Sequence, residues 1–278
     1  MKHEYIYRYI YEFKSVTVAT NNKIELAKLL ADLRRTNRQQ SGLHKKLTPV
    51  SHAEAYKVAH LVEKELGWDV GGWKIAATNT TMQRALRTNT PIYGRVYSQF
   101  IMKSPVETNF DDLCSPIPEP EYQVFLEKDL PPRSEPYEIS EVANSIKSMH
   151  PGLELAECRF IHDDEFPPLE AILSDGAGSG TLVYGPAIKD WKNKDIGNNE
   201  VALFCNGIFK RKGNALTAME HPLIPVTWLA NELSRTGIGL KKGQLISTGT
   251  LTGMLVPKKG ETYTADFGVF GRVSGTYK

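Results

Sequence analysis

Glu119 and Glu121, one residue apart, and a third carboxylate, Glu154, near the start of another strand-like segment, are the side chains best spaced for chemistry. In a strand, residues i and i+2 point to one face, so Glu119 and Glu121 would present both carboxylates to one cavity, about 7 Å apart along the chain. Three carboxylates gathered in one place repel unless neutralised, and a hard dication bound through oxygen is the usual neutraliser. With Lys74 supplying one positive charge, the set suits gripping a 2-oxo acid and moving protons on the carbons beside its carbonyl. Alone, a Glu-x-Glu pair on a chain with 32 acidic residues reads first as a solvated edge strand. The neighbouring sequence has to separate the two readings.

The elements that would position these residues change character along the chain. Residues 22–33 carry Ile24, Ala27, Leu30 and Leu33 at helical spacing. Ser51-His-Ala-Glu54 matches a capping box opening a second helix, and Gly67 is its stop. From Gly72 onward short β-type runs dominate: 73–77, 91–96, 121–126, 153–160, 181–184, 201–204, 245–248 and 263–267. Asn206-Gly207 is a hairpin turn between 201–205 and 208–210. Helices are expected at 140–149 and 225–234. Strands outnumber helices without alternating with them, which disfavours a parallel βαβ sheet. The expected class is α+β. A helical N-terminal unit spans 21–85, a β-rich body spans 86–278, and residues 1–20 form an extension, with tyrosines at 5, 7, 9 and 11, that reads as a short added strand or an unordered segment.

Composition narrows the function classes. At 278 residues, with 41% hydrophobic and 24% charged residues and a formal charge of +2, the chain has the profile of an ordinary globular protein. Near-balance of charge gives no reason to expect nucleic acid or an anionic membrane as partner. The N-terminus lacks a signal peptide's apolar run, and no stretch approaches the 18 apolar residues of a membrane span. Cys114, Cys158 and Cys205 lie far apart, which suits a reducing compartment and argues against a zinc site. Gly176-Ala-Gly178-Ser-Gly180 leads into a strand-like run rather than a helix, so it reads as a tight turn and not a nucleotide loop.

Taken in order, several segments resemble the hydratase/decarboxylase branch of the fumarylacetoacetate hydrolase superfamily, typified by 2-keto-4-pentenoate hydratase and 4-oxalocrotonate decarboxylase. They are Gly72-Trp-Lys74-Ile-Ala-Ala-Thr78, Glu119-Pro-Glu121-Tyr-Gln-Val-Phe125, Leu153-Glu154-Leu-Ala-Glu-Cys-Arg159, Leu173-Ser-Asp175-Gly-Ala-Gly-Ser179-Gly180, His221-Pro222 with Trp228-Leu-Ala-Asn231, and Gly243-Gln-Leu-Ile-Ser-Thr-Gly249-Thr250 with Ala265-Asp266-Phe267-Gly268. The resemblance runs from about residue 25 to the C-terminus. It implies a mixed-sheet sandwich or roll of the fumarylacetoacetate hydrolase type. It also implies Glu119, Glu121 and Glu154 as ligands of Mg²⁺ or Mn²⁺, Lys74 as the acid/base or charge-stabilising group, and Asp175, Ser179 and Thr250 as weaker candidates for substrate contacts, with Asp175 positioning the Lys74 side.

What the resemblance implies about activity is a cytoplasmic, homo-oligomeric lyase acting on a small unsaturated 2-oxo acid, by hydration or by decarboxylation. Two departures separate these. Where hydratases commonly read Gln-Pro-Asp-Phe/Tyr-Gly, this chain has Thr90-Pro91-Ile92-Tyr93-Gly94, and Ile92 cannot act as acid, base or water-positioning group. Where the family usually reads Asp-Asn-Ala/Gly-Ser, this chain has Asp175-Gly176-Ala177-Gly178-Ser179, without the amide. Both bear on hydration and leave metal-assisted enolisation intact, and Ile92 moves the pocket toward decarboxylase-like or otherwise altered substrate handling. The expected activity is 2-keto-4-pentenoate hydratase-like, with 4-oxalocrotonate-type decarboxylation as the alternative. A catalytically silent homologue serving as a binding protein is the reading from another class, opposed by the intact carboxylates and Lys74.

Overall fold

The computed structural model describes residues 21–278, which divide into two compact units: 21–68 with Arg159–Asp175, and Asp69–Cys158 with Gly176–Lys278. The tyrosine-rich N-terminal segment lies outside the described residues. The helices are α1 (21–35), α2 (His52–Leu66), α3 (Thr80–Ala85), α4 (Ile139–Ala143), α5 (Leu169–Ser174) and α6 (Leu223–Arg235). The strands are β1 (Val70–Ala76), β2 (Ile92–Tyr97), β3 (Ile101–Lys103), β4 (Val106–Thr108), β5 (Ile117–Leu126), β6 (Ile146–Ala156), β7 (Thr181–Tyr184), β8 (Val201–Cys205), β9 (Ile208–Gly213), β10 (Leu245–Ser247), β11 (Thr262–Asp266) and β12 (Arg272–Tyr277). The class is the expected mixture of a helical N-terminal region and mixed sheets.

The first unit is helical because its apolar residues fall on one stripe: Leu26, Ala27, Leu30 and Ala31 of α1 are fully buried. Ser51 caps α2, its hydroxyl accepting from the Glu54 N–H, and Gly67 ends it at φ 65°. Both were legible in the sequence. α5 packs on α2 and belongs to the same unit, although more than 100 residues separate them in the chain.

The second unit holds a seven-stranded sheet, ordered β2-β1-β10-β5-β6-β7-β3, and a five-stranded sheet, ordered β4-β12-β11-β8-β9. The expected boundary near residue 85 is corrected to 68/69, because β1 is hydrogen-bonded between β2 and β10 and so lies inside the large sheet. The expected helix over 140–149 is also corrected. Only Ile139–Ala143 is helical, and Ile146–Met149 opens β6, whose ladder with β5 runs from Ala156 opposite Ile117 to Ile146 opposite Leu126. Long-range pairing outweighs the local helical preference there.

Register assigns the faces of the large sheet. Lys74 lies opposite Gly94 and beside Ser247; Ser247 lies opposite Gln123, and Gln123 opposite His150. Because alternate residues share a face, Ile92, Lys74, Ser247, Glu119, Glu121, Gln123, Gly152 and Glu154 all belong to one face. The other face carries Trp73, Ile75, Ile246, Val124, Met149, Leu153 and Leu155, all of them core residues. α6 covers it near β2, where Trp228 meets Tyr93 edge to face. β12 covers it near β6, where a Cβ on Gly275 would touch Leu153 and Leu155.

The polar face is closed at one end by Val96, Leu182 and Leu245, with Phe100, Ile101, Phe125 and Tyr184 packed on them. At the β2 side a side chain is excluded altogether: a Cβ on Gly94 would stand 1.8 Å from the Gly176 carbonyl oxygen. Gly94→Ala therefore forces backbone apart, and a loss of about 2–3 kcal/mol is expected in urea unfolding. An unchanged midpoint would show that the 176–180 turn yields freely.

Candidate metal centre

Glu119 and Glu154 are direct cross-strand partners on β5 and β6, and Glu121 follows Glu119 on the same face, opposite Gly152. Their carboxylates converge, with one oxygen from each within 4.8 Å of the others, and all three residues are buried. Lys74 Nζ lies 3.4 Å from Glu154 Oε1. The sheet thus brings the four residues implied by the sequence into one cluster.

Each carboxylate has a different environment. Glu121 Oε2 accepts from the Ser247 hydroxyl at 2.5 Å and from the Gly249 N–H at 2.8 Å. Gly249 can turn that N–H inward because it sits at φ 102°, and a Cβ there would collide with the Thr78 side chain. Both Glu154 oxygens are buried with no well-aligned hydrogen-bond donor; their near neighbour is the Lys74 ammonium. Glu119 faces Lys74 and the Thr250 hydroxyl, which oppose the effect of burial on it.

Burial dominates the electrostatics. It raises Glu119 above the ordinary carboxylate range, and it raises Glu121 well above, helped by repulsion from Glu154 and Glu119. Glu154 is pushed up to about 7 by burial, against the pull of Lys74. For Lys74 burial acts downward, but the three carboxylates outweigh it and hold its pKa above the ordinary value. One ammonium does not neutralise three carboxylates. Poorly donated, converging oxygens with no His or Cys among them form a donor set that fits a hard, oxygen-seeking dication.

Sequence reasoning did not single out Ser247, the Gly249 N–H or Gln123 as parts of this site. Ser247 and Gly249 lie in the Ile-Ser-Thr-Gly segment already noted. The missing signal was register, since β10 is parallel to β1 and sets Ser247 beside Lys74. Thr250 reaches the site through Glu119, and its Oγ1 is otherwise buried without a hydrogen bond. Ser179 is buried in the 176–180 turn, its N–H bonded to the Gly176 carbonyl, and the turn is tied to the end of β6 through Glu157 N–H to the Gly178 carbonyl.

Asp175 lies in the first unit. There its carboxylate accepts from the Arg159 N–H and Nε and stands 3.3 Å from Arg34 Nε. These buried ion pairs account for Asp175 as an anchor of its own unit. His150 is held with Nδ1 on the Gly185 carbonyl and Nε2 on the Ser148 hydroxyl, and burial lowers its pKa.

No protein-family model matches the chain. A 2-oxo-hept-4-ene-1,7-dioate hydratase of Escherichia coli is 28% identical over 213 residues, covering 75% of this chain and 79% of the relative. A 2-keto-4-pentenoate hydratase of Burkholderia vietnamiensis is 25% identical over 216 residues, covering 78% and 81%. Over about three quarters of its length, the chain is similar to these two hydratases. Its fold matches that of a 4-oxalocrotonate decarboxylase from Pseudomonas putida complexed with magnesium and adipate, with a TM-score of 0.85 at 21% identity over 93% of this chain and 98% of that one. A fumarylpyruvate hydrolase from Pseudomonas aeruginosa, in complex with Mn²⁺ and pyruvate, shares the fold more distantly, with a TM-score of 0.56 at 12% identity over 74% and 89%.

The raised Glu154 pKa gives the metal-free protein a signed pH dependence. A carboxyl that binds its proton more tightly folded than unfolded stabilises at low pH. That stability is lost as pH rises from the unfolded value of 4.5 to the folded value of about 7. Glu154 would have to give up that proton to hold a dication, so the rise in melting temperature given by Mg²⁺ over EDTA should grow across the same window and shrink in Glu154→Gln. An Mg²⁺ effect that is flat with pH and equal in the variant would contradict the arrangement.

Proposed function

We propose that this chain is a divalent-metal-dependent lyase acting on a small unsaturated 2-oxo acid, with 2-keto-4-pentenoate hydratase-type chemistry. The observation that carries the reading is the buried cluster of Glu119, Glu121 and Glu154 beside the Lys74 ammonium. The similar sequences carry hydratase names, which supports the same reaction class.

In this reading Glu119, Glu121 and Glu154 hold Mg²⁺ or Mn²⁺. When bound, such an ion supplies Lewis-acid polarisation of the oxygens of a chelating 2-oxo acid. The protein's own groups do the rest. Ser247 and the Gly249 N–H hold the Glu121 carboxylate in one orientation. Lys74, kept cationic by its neighbours, offers an N–H to negative charge developing on the substrate's 2-oxo oxygen and a proton to exchange with it. The buried inner face keeps bulk water from quenching that charge. Thr250 and Ser179 are proposed substrate contacts, and Asp175 is an anchor of its own unit through Arg34 and Arg159.

Decarboxylation is the second reading. Ile92 is 2% exposed and shares the face of Lys74, so an apolar wall stands where hydratases carry a carboxylate. The same electron sink would accept the electron pair left by departing CO₂. The three buried, unbridged cysteines suit a reducing compartment, so we place the protein in the cytoplasm, as a homo-oligomer.

An ultraviolet assay on 2-hydroxypenta-2,4-dienoate and on 4-oxalocrotonate, with Mg²⁺ and with EDTA, tests the proposal. Turnover of at least one is expected with Mg²⁺ and none with EDTA, and Glu121→Gln should lose roughly 100-fold or more. A variant as active as the wild type would sink the metal assignment, and silence on both substrates would favour a binding protein.

A further inference from the structure

One buried polar group on the inner face is left over. Gln123 is 0% exposed, and its Oε1 has no hydrogen-bond partner. Its Nε2 lies 3.3 Å from Ser247 Oγ. The Ser247 proton is committed to Glu121 Oε2, so Ser247 Oγ can only accept from the amide; this fixes Nε2 toward Ser247 and leaves the carbonyl free. An unmet buried carbonyl is unfavourable, so it needs a donor that the fold itself does not provide.

The side chain also leans in a definite direction. The cross-strand partner of Gln123 is His150, yet its amide lies over Gly152, the partner of Glu121 and two residues from Glu154. A Cβ on Gly152 would stand 2.4 Å from Gln123 Cδ and 2.7 Å from Nε2. The absence of a side chain at 152 is therefore what lets the amide tilt toward the carboxylate cluster and away from the apolar plug of Leu245, Phe125 and Tyr184. Ile92, on the same face, offers no hydrogen bond.

Resting on the lyase reading above, we propose that Gln123 is the group that orients the hydroxyl of the hydration step: its carbonyl accepts a hydrogen bond from the water that adds at C4, and then from the C4 hydroxyl of the product. In that step the water oxygen forms a bond to C4 and the C3=C4 π pair moves toward C3 and the 2-oxo group. One proton leaves the water and one arrives at C3, so H and OH add with no oxidant or reductant. A carboxamide does not take the proton; Gln123 fixes where the oxygen stands. Enolisation at C3 does not use it, because Ser247 and Gly249 still hold Glu121 when the amide is gone.

The test separates the two half-reactions. With Mg²⁺ in D₂O, C3 proton exchange of 2-oxopentanoate reports enolisation, and conversion of 2-hydroxypenta-2,4-dienoate to 4-hydroxy-2-oxopentanoate reports water addition, both by NMR. Gln123→Met, close in size but without the carbonyl, should keep exchange within about 3-fold and lose hydration by roughly 30-fold. Gly152→Ala, whose new Cβ displaces the amide from the opposite strand, should split the two rates the same way and carries the test if Gln123→Met does not fold. Hydration at the wild-type rate in either folded variant overturns the proposal. A parallel fall in both rates also overturns it, because Gln123 would then act only through Glu121. A wild type that exchanges C3 protons but never hydrates overturns this proposal alone; one that does not exchange them overturns the lyase reading with it.

Discussion

Three like charges held inside a protein are the constraint on which the rest of this structure depends. Glu119, Glu121 and Glu154 are buried with converging oxygens, and the one nearby ammonium leaves the cluster short of positive charge. Burial pushes all three carboxyls upward, repulsion adds to it at Glu121 and Glu154, and Lys74 is held up in return. Such a cluster is unfavourable as a bare arrangement of anions and favourable as the inner shell of a dication. The surrounding elements are organised to keep it in place. A long antiparallel ladder sets Glu119 opposite Glu154, a parallel pair sets Ser247 beside Lys74, and a left-handed glycine turns a backbone N–H onto Glu121.

The large sheet separates two functions by face. One face is apolar throughout its centre and is covered by α6 and by β12. The other holds charge and amide groups, closed at one end by an apolar plug. Side-chain alternation makes this division cheap to encode, since the residues of the polar face and the residues that pack take turns along β1, β5, β6 and β10. It also explains why Leu153 and Leu155 flank Glu154: they are the packing half of the same strand that presents this carboxylate to the other face.

Much of this was legible in the sequence, and the reason is local. Ser51 and Gly67 state the ends of α2, and Glu119-Pro-Glu121 states a shared face if the segment is a strand. What could not be read locally was pairing. The helix expected over 140–149 gave way because Ile146–Met149 completes a ladder with Val124–Leu126. Likewise the unit boundary moved to 68/69 because β1 finds partners more than 150 residues downstream in β10. Ser247 and Gln123 escaped notice for the same reason: neither is unusual in type, and only the register of β10 between β1 and β5 puts them next to Lys74 and Glu121. For Asp175 the order of motifs could not show its partners, and in the fold its carboxylate is engaged by Arg34 and Arg159.

The central claim is that the three glutamates bind one dication together. Anomalous diffraction from crystals soaked with Mn²⁺ tests it most directly. The account predicts a single strong peak bonded to oxygens of Glu119, Glu121 and Glu154 at roughly 2.0–2.2 Å, lost in Glu121→Gln. Mn²⁺ found only at surface carboxylates, with the three buried side chains unmoved and unliganded, would contradict it.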